Sequence, residues 1–257
     1  MTPLYMDDLL RDAYQTTSVV GGSLKGRIAL VTGATSGIGF AIAERLLGEG
    51  CRVIISGRNV QKLQTAVAEL KRRSCKANDD TLSTLLLNQY DAEAVRNSVD
   101  GLFSTAPVSI VINNAGFLGE KDHRCEFRSV TEEEYFRTID VNLKSTILIS
   151  ELAAARMAQY GGGNILNISS ICGFSRNHYY TPYGISKTGV IRFTEQLSAA
   201  YKGRGVISRM NDNIASFHPL NHIIFSEQIA ALAAFMIGNV SKFQVGEVKK
   251  ACATENV

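Results

Sequence analysis

Short apolar runs alternate along this chain with longer stretches in which apolar positions recur every three or four residues. Short apolar-rich runs at 28–31, 53–55, 82–87, 108–112 and 165–168 predict strands, of which the first, apolar throughout, reads as buried. Runs at 206–210 and 243–248 add a sixth and a last strand. Between them, helical periodicity predicts helices at 38–47, 60–71, 92–103, 131–160, 182–201 and 226–237, with Gly161, Gly162 and Gly163 breaking the fourth of these. Strands alternating with helices give β-α-β units. With right-handed crossovers they predict an α/β, doubly wound (Rossmann) parallel sheet with helices on both faces, in a single domain. Residues 1–24 read as an N-terminal extension, with a short amphipathic helix at 4–14 and a flexible joint at Gly21, Gly22 and Ser23. Residues 25–257 form the one domain, without solenoid repeats or low-complexity segments.

Composition adds exclusions. At 257 residues and 45% hydrophobic, the chain can bury a sizeable core. A formal net charge of +3, spread along the chain, argues against a nucleic-acid or membrane partner. Lys71, Arg72 and Arg73 read as a helix end, where cations favour the dipole. Five cysteines, with no Cys-x-x-Cys pair, suit a reduced, cytoplasmic protein. His218 and His222 have the spacing of a metal pair, but Pro219 interrupts them and no carboxylate lies nearby, so no metal site is expected. No apolar run approaches the ~20 residues of a membrane span, and the acidic start (Asp7, Asp8) is not that of a secretory signal.

Two clusters carry chemistry. Gly33, Gly37 and Gly39 lie between the first strand and the first helix, in Thr32-Gly33-Ala34-Thr35-Ser36-Gly37-Ile38-Gly39. A dinucleotide phosphate needs such a turn, backbone approach without a Cβ, and a helix N-terminus facing the anion. The second strand ends in Gly57 and Arg58. An arginine here pairs with a ribose 2′-phosphate where an acid would select NAD, and Gly57 would leave the room. NADP(H) is therefore favoured over NAD(H). The second cluster is Tyr183 and Lys187, four apart on one helix face, with Ser170 thirteen residues before the tyrosine. An ammonium beside a phenol lowers its pKa from roughly 10, making the pair a general acid/base, with Ser170 donating a hydrogen bond to a carbonyl oxygen.

These motifs, with Asn113-Asn114-Ala115-Gly116, Val141-Asn142 and Asn167-Ile168-Ser169-Ser170, resemble the short-chain dehydrogenase/reductase superfamily in its single-domain branch. The resemblance covers residues 25–207 well and is nearest to 3-oxoacyl thioester reductases and related ketoreductases. It implies a catalytic tetrad of Asn142, Ser170, Tyr183 and Lys187. Lys187 would bind the nicotinamide ribose, and Asn142 would hold a water linking Lys187 to solvent. It further implies cofactor contacts from Gly33, Thr35, Ser36, Gly37, Ile38, Gly39, Arg58, Asn88, Asn113, Asn114, Ala115, Gly116, Tyr183 and Lys187. Ser169 is the rival to Ser170, which the thirteen-residue spacing favours.

The chain departs from the family after Met210, where Pro-Gly is missing and a lid of roughly twenty residues is cut down. Residues 249–257 also replace the tail that supports a tetramer interface. A homodimer through helices 131–160 and 182–201 is the expectation, with apolar faces drawn from Leu143, Ile147, Leu152, Ala153, Val190, Phe193 and Leu197, some of which must face the sheet. The expected activity is NADP(H)-dependent hydride transfer between cofactor and a small-molecule secondary alcohol or ketone. The alternative is a nucleotide-binding scaffold with little turnover.

Overall fold

The computed structural model describes residues 24–119, 130–174, 181–213, 226–238 and 248–249. Strand β1 (Ile28–Val31) is buried at every position, as is β5 (Gly163–Ser170), because each has sheet neighbours on both sides and helices on both faces. Among the described residues the sheet has seven strands in the order β3-β2-β1-β4-β5-β6-β7, and every pairing is parallel. The others are β2 (Arg52–Gly57), β3 (Leu82–Leu86), β4 (Val108–Asn113), β6 (Val206–Asn213) and β7 (Val248–Lys249).

Seven α-helices connect them among the described residues: α1 (Gly37–Gly48), α2 (Val60–Arg73), α3 (Ala92–Thr105), α4 (Glu132–Ile139), α5 (Ser145–Gln159), α6 (Thr181–Ala200) and α7 (Ser226–Gly238). One core joins α1, α2 and α7 to the sheet through Ile42, Leu46, Leu70 and Met236. The other joins α3, α5 and α6 through Val99, Phe103, Ile149 and Leu197. Each core buries large aliphatic side chains, and the second also Phe103, worth about 1.5–3 kcal/mol apiece. No helix among the described residues is long and apolar enough to cross a membrane.

Four helix starts show a division of labour. Asn59 caps α2 by accepting from Lys62 N at 2.9 Å, and Asp91 caps α3 by accepting from Glu93 N and Ala94 N, both at 3.0 Å. Thr131 caps α4 through Glu134 N at 3.2 Å. Ser36 stands at the same position of α1, but its side chain makes no capping bond and no acid sits in the first turn.

Several boundaries differ from the sequence expectation. The helix expected over 131–160 is α4 and α5 joined by a π-helical turn, Asp140–Lys144. β5 starts earlier and ends later than 165–168 because its polar residues have partners: Asn167 Nδ2 donates to Thr194 Oγ1 at 2.8 Å, and Ser169 Oγ donates to Lys187 O at 3.1 Å. β6 continues to Asn213, paired with Ser170. Of the strand expected at 243–248, only Val248 is among the described residues, in β7. The 4–14 helix, the histidine pair and most of the shortened-lid and tail segments lie outside them.

Of the apolar residues expected to form a dimer surface, Ala153, Val190 and Leu197 pack inside the subunit. Leu143, Ile147, Leu152 and Phe193 stay partly exposed.

Candidate active site

The C-terminal ends of the central strands converge on one cleft, where an open parallel sheet binds its ligands. Gly33, after β1, has φ +62°, and a Cβ there would meet Ala115 Cα at 2.7 Å. Only glycine lets the turn approach the loop after β4 this closely. That approach is stitched by Thr32, whose Oγ1 accepts from Asn114 N and Ala115 N, both at 3.0 Å. Asn114 Nδ2 returns bonds to Thr32 O at 3.0 Å and Gly33 O at 3.2 Å. Asn113 points the other way. Buried in the core, it donates to Ser150 Oγ and Asn167 Oδ1, both at 2.8 Å, tying β4 to β5 and α5.

The two glycine-bearing loops border a cavity of about 370 Å³. Among its lining residues are Gly33, Thr35, Ser36, Ile38, Arg58, Asn88, Asn114, Ala115 and Gly116, all expected from sequence. Gly37 and Gly39 shape the turn and the start of α1 without lining that cavity. The sequence reading missed Leu87, Gln89, Tyr90, Phe117 and Arg137, which line it too, and quoted Val141, another wall residue, only within a motif. A helical signal was available for one of them, since Arg137 and Val141 are four apart and share a helix face.

Gly57 stands between Thr35 and the cavity. A Cβ at Gly57 would meet Thr35 Cγ2 at 2.9 Å, so the glycine lets the threonine methyl pack close, and Gly57 lines the cavity beside Arg58. Arg58 beside it is exposed and makes no hydrogen bond or ion pair with the described residues.

The second half of the cleft is built on β5, the π-turn and α6. Asn142, fully buried, accepts from Phe117 N at 2.7 Å and donates to Phe117 O at 2.9 Å and Ser186 Oγ at 3.0 Å. Its side chain therefore clasps the loop after β4 against α6. The π-turn that aims it is secured by Ser145, whose hydroxyl donates to Val141 O at 2.6 Å and accepts from Gln89 Nε2 at 2.9 Å.

Ser170 ends β5. Its Oγ accepts from Cys172 N at 3.2 Å and hydrogen-bonds the Tyr183 side chain. Ser169 has its hydroxyl committed to Lys187 O, so Ser170 is the serine placed beside the tyrosine. Part of Tyr183's surface is exposed, yet enough protein surrounds the phenol that burial pushes its pKa up to about 12, with the Ser170 bond pulling the other way. Lys187 is buried, which brings its pKa down to about 8. Burial, and not the expected lowering by the ammonium, dominates the phenol's shift. Lys187 Nζ lies over the ring, 5.5 Å from its centroid, and donates to Ile168 O at 2.8 Å.

One position joins the two halves. A Cβ at Gly116 would lie 3.6 Å from Asn142 Oδ1 and 3.8 Å from Lys187 Nζ, so the cavity wall at Gly116 abuts the buried lysine. The cysteines in view, Cys51, Cys75 and Cys172, are free, and no group of metal-ligating residues occurs among the described residues.

Comparison with known proteins bears on this architecture. Residues 27–211 match the family model of the short chain dehydrogenases. The 3-oxoacyl-[acyl-carrier-protein] reductase FabG of Aquifex aeolicus is 28% identical over 246 residues, covering 88% of this chain and 95% of that one. The Rickettsia conorii protein of the same name is 31% identical over 242 residues, 87% of this chain and 94% of the relative. The human dehydrogenase/reductase SDR family member 4 is 32% identical over 188 residues, 71% of this chain and 63% of the relative. Among solved structures, a short chain dehydrogenase from Mycobacterium smegmatis superposes with a TM-score of 0.80 at 26% identity, covering 90% of this chain and 93% of the other. A putative NAD(P) dependent gluconate 5-dehydrogenase from Beutenbergia cavernae shares the fold at a TM-score of 0.79 and 24% identity, covering 90% and 98%. This chain belongs to the short-chain dehydrogenase/reductase family of oxidoreductases and resembles its 3-oxoacyl reductases.

Proposed function

We propose that the protein is an NADP(H)-dependent ketoreductase, interconverting a ketone and a secondary alcohol on a 3-oxoacyl-like or other small keto substrate. The observation that carries this reading is the meeting of the cavity with Lys187 at Gly116, beside the Ser170–Tyr183 pair. The residues present fit a dinucleotide. The uncapped first turn of α1 offers N–H groups to a pyrophosphate, and the close Gly33–Ala115 approach shapes the cradle beneath it. When bound, the nicotinamide supplies the hydride. Lys187 would hold its ribose, and Ser170 would donate a hydrogen bond to the substrate carbonyl. Tyr183, with a pKa near 12, is neutral at pH 7 and holds the proton that a reduced carbonyl oxygen must receive. The FabG relatives support a keto group as the reacting function.

The test is a panel of ketones and 3-oxoacyl thioesters with NADPH, followed by nicotinamide absorbance. Reduction of at least one member supports the reading, and tight NADPH binding with no turnover in either direction overturns it. A scaffold role then moves ahead, a reading favoured by the short connection between β6 and α7, residues 214–225.

Cofactor choice has its own test. Arg58→Ala should weaken NADPH binding by roughly 10- to 100-fold, as expected for a charge-assisted contact, and leave NADH nearly unchanged. Calorimetry on both nucleotides decides this, and equal losses would remove Arg58 from the 2′-phosphate.

We also infer a homodimer through α4–α5 and α6, with the partly exposed Leu143, Ile147, Leu152 and Phe193 at the contact. Light scattering at micromolar concentration should report two subunits. A stable tetramer that buries residues 249–257 would contradict it.

A further inference from the structure

A second cavity, of about 340 Å³, is lined by Arg58, Asn88, Tyr90, Glu133 and Arg137. Four of these, Arg58, Asn88, Tyr90 and Arg137, also line the first cavity, so the cleft runs on toward the N-terminal half of α4. On the functional reading above, a dinucleotide has its phosphates at α1 and its reacting end at Gly116. Its adenosine end then occupies the stretch the two cavities share.

Arg137 enters that stretch from α4. Its guanidinium carbon lies 4.8 Å from the centroid of the Phe117 ring. Phe117 is itself held by Asn142 through both backbone polar groups, at 2.7 and 2.9 Å. The guanidinium thus rests on an anchored platform before a ligand arrives. A planar cation so placed can stack on a flat heteroaromatic base or donate to its ring nitrogens. The neighbours suit a base better than a phosphate. Val141, one helical turn away, gives an apolar contact, Asn88 offers a carboxamide, and Tyr90 is 46% exposed across the cleft. Glu133 borders the outer cavity and would repel an anion there.

We propose that Arg137 is a cofactor-binding residue that holds the adenine base from the α4 side. It contributes affinity common to NADP(H) and NAD(H), while Arg58 discriminates between them. The proposal rests on the dinucleotide reading of the cleft, and its test separates the two.

Wild type, Arg137→Ala and Arg137→Gln are titrated with NADPH, NADH, adenosine 5′-monophosphate and reduced nicotinamide mononucleotide. The glutamine variant keeps a polar end without the cationic plane and carries the test where alanine disturbs folding. Loss of a stacked cation should weaken NADPH, NADH and adenosine 5′-monophosphate alike by roughly 5- to 30-fold. The NADPH/NADH ratio and the affinity for reduced nicotinamide mononucleotide should stay at the wild-type values, which a merely structural role would not allow. The inference is overturned if the adenosine nucleotides bind the variants as they bind wild type. It is equally overturned if only NADPH weakens, or if the mononucleotide weakens by the same factor. A wild type that binds adenosine 5′-monophosphate through Arg137 but reduces no carbonyl retains this inference and overturns the ketoreductase reading instead.

Discussion

Tyr183→Phe is expected to keep NADPH binding close to wild type and to lower turnover by ~10²–10⁴-fold, the range for a positioned acid/base. The substitution removes one oxygen and keeps the ring that Lys187 Nζ overlies at 5.5 Å from the centroid. The loss therefore reports the proton and not the packing. Ser170→Ala is a less clean probe, because Ser170 Oγ also accepts from Cys172 N at 3.2 Å and caps the short 3-10 turn Ile171–Gly173. The phenol's elevated pKa sets a direction as well. A group that titrates near 12 stays protonated across neutral pH, so reduction should be limited by proton donation far less than oxidation is by proton removal. Oxidation should accordingly speed up as pH rises above neutral, and the Phe variant should lose that rise. The measurement is nicotinamide absorbance at saturating substrate, in both directions from pH 6 to 10. Equal rates for wild type and Tyr183→Phe would remove Tyr183 from the chemistry.

The legible parts of the fold were those in which one force dominates. β1 and the centres of β2 and β4 are apolar and buried, so their sequence reads as strand whatever surrounds them. β5 was trimmed at both ends because Asn164 and Ser169 look like loop residues until the contacts that bury them are known. The π-turn at Asp140–Lys144 leaves no mark in periodicity, since one extra residue per turn shifts the apolar stripe by less than its own width.

In the site, motif residues were found because their spacing is local. What was missed depends on contacts between distant segments. Gly57 looked only like room for a phosphate, yet it also lets the Thr35 methyl pack close. Arg137 follows a run of glutamates on α4 and reads as part of a solvated face, until the fold sets it over Phe117. The tyrosine–lysine pair was right as a juxtaposition and wrong in the sign of the phenol's shift. Sequence spacing reports proximity, whereas desolvation depends on everything packed around the pair.

Desolvation also makes Lys187→Met an informative variant. Without cofactor, it is expected to be more stable than wild type at pH 7 by roughly 1–2 kcal/mol while losing turnover. In the unfolded chain the lysine titrates at 10.5, and in the folded protein burial brings it down to about 8. At about 1.36 kcal/mol per pKa unit, that gap corresponds to roughly 3 kcal/mol against the charged folded form, part of which is offset by the bond to Ile168 O that methionine forfeits. Below pH 8 both states carry the proton, and wild type bears the whole penalty. Between 8 and 10.5 the folded state has released a proton that the unfolded state still holds, so wild-type stability climbs with pH. Tyr183 acts oppositely above pH 10, where the folded state keeps a proton the unfolded chain has lost, but it is present in both proteins and cancels between them. The advantage of Lys187→Met should therefore be greatest at pH 7 and shrink steadily from pH 8 to 10. Urea unfolding at pH 7, 8, 9 and 10 measures it. A variant less stable than wild type at pH 7, with a difference that does not change with pH, would mean that the ammonium is well solvated or well paired in the folded protein. The cost of holding a cation in this site would then have to be sought elsewhere than in burial.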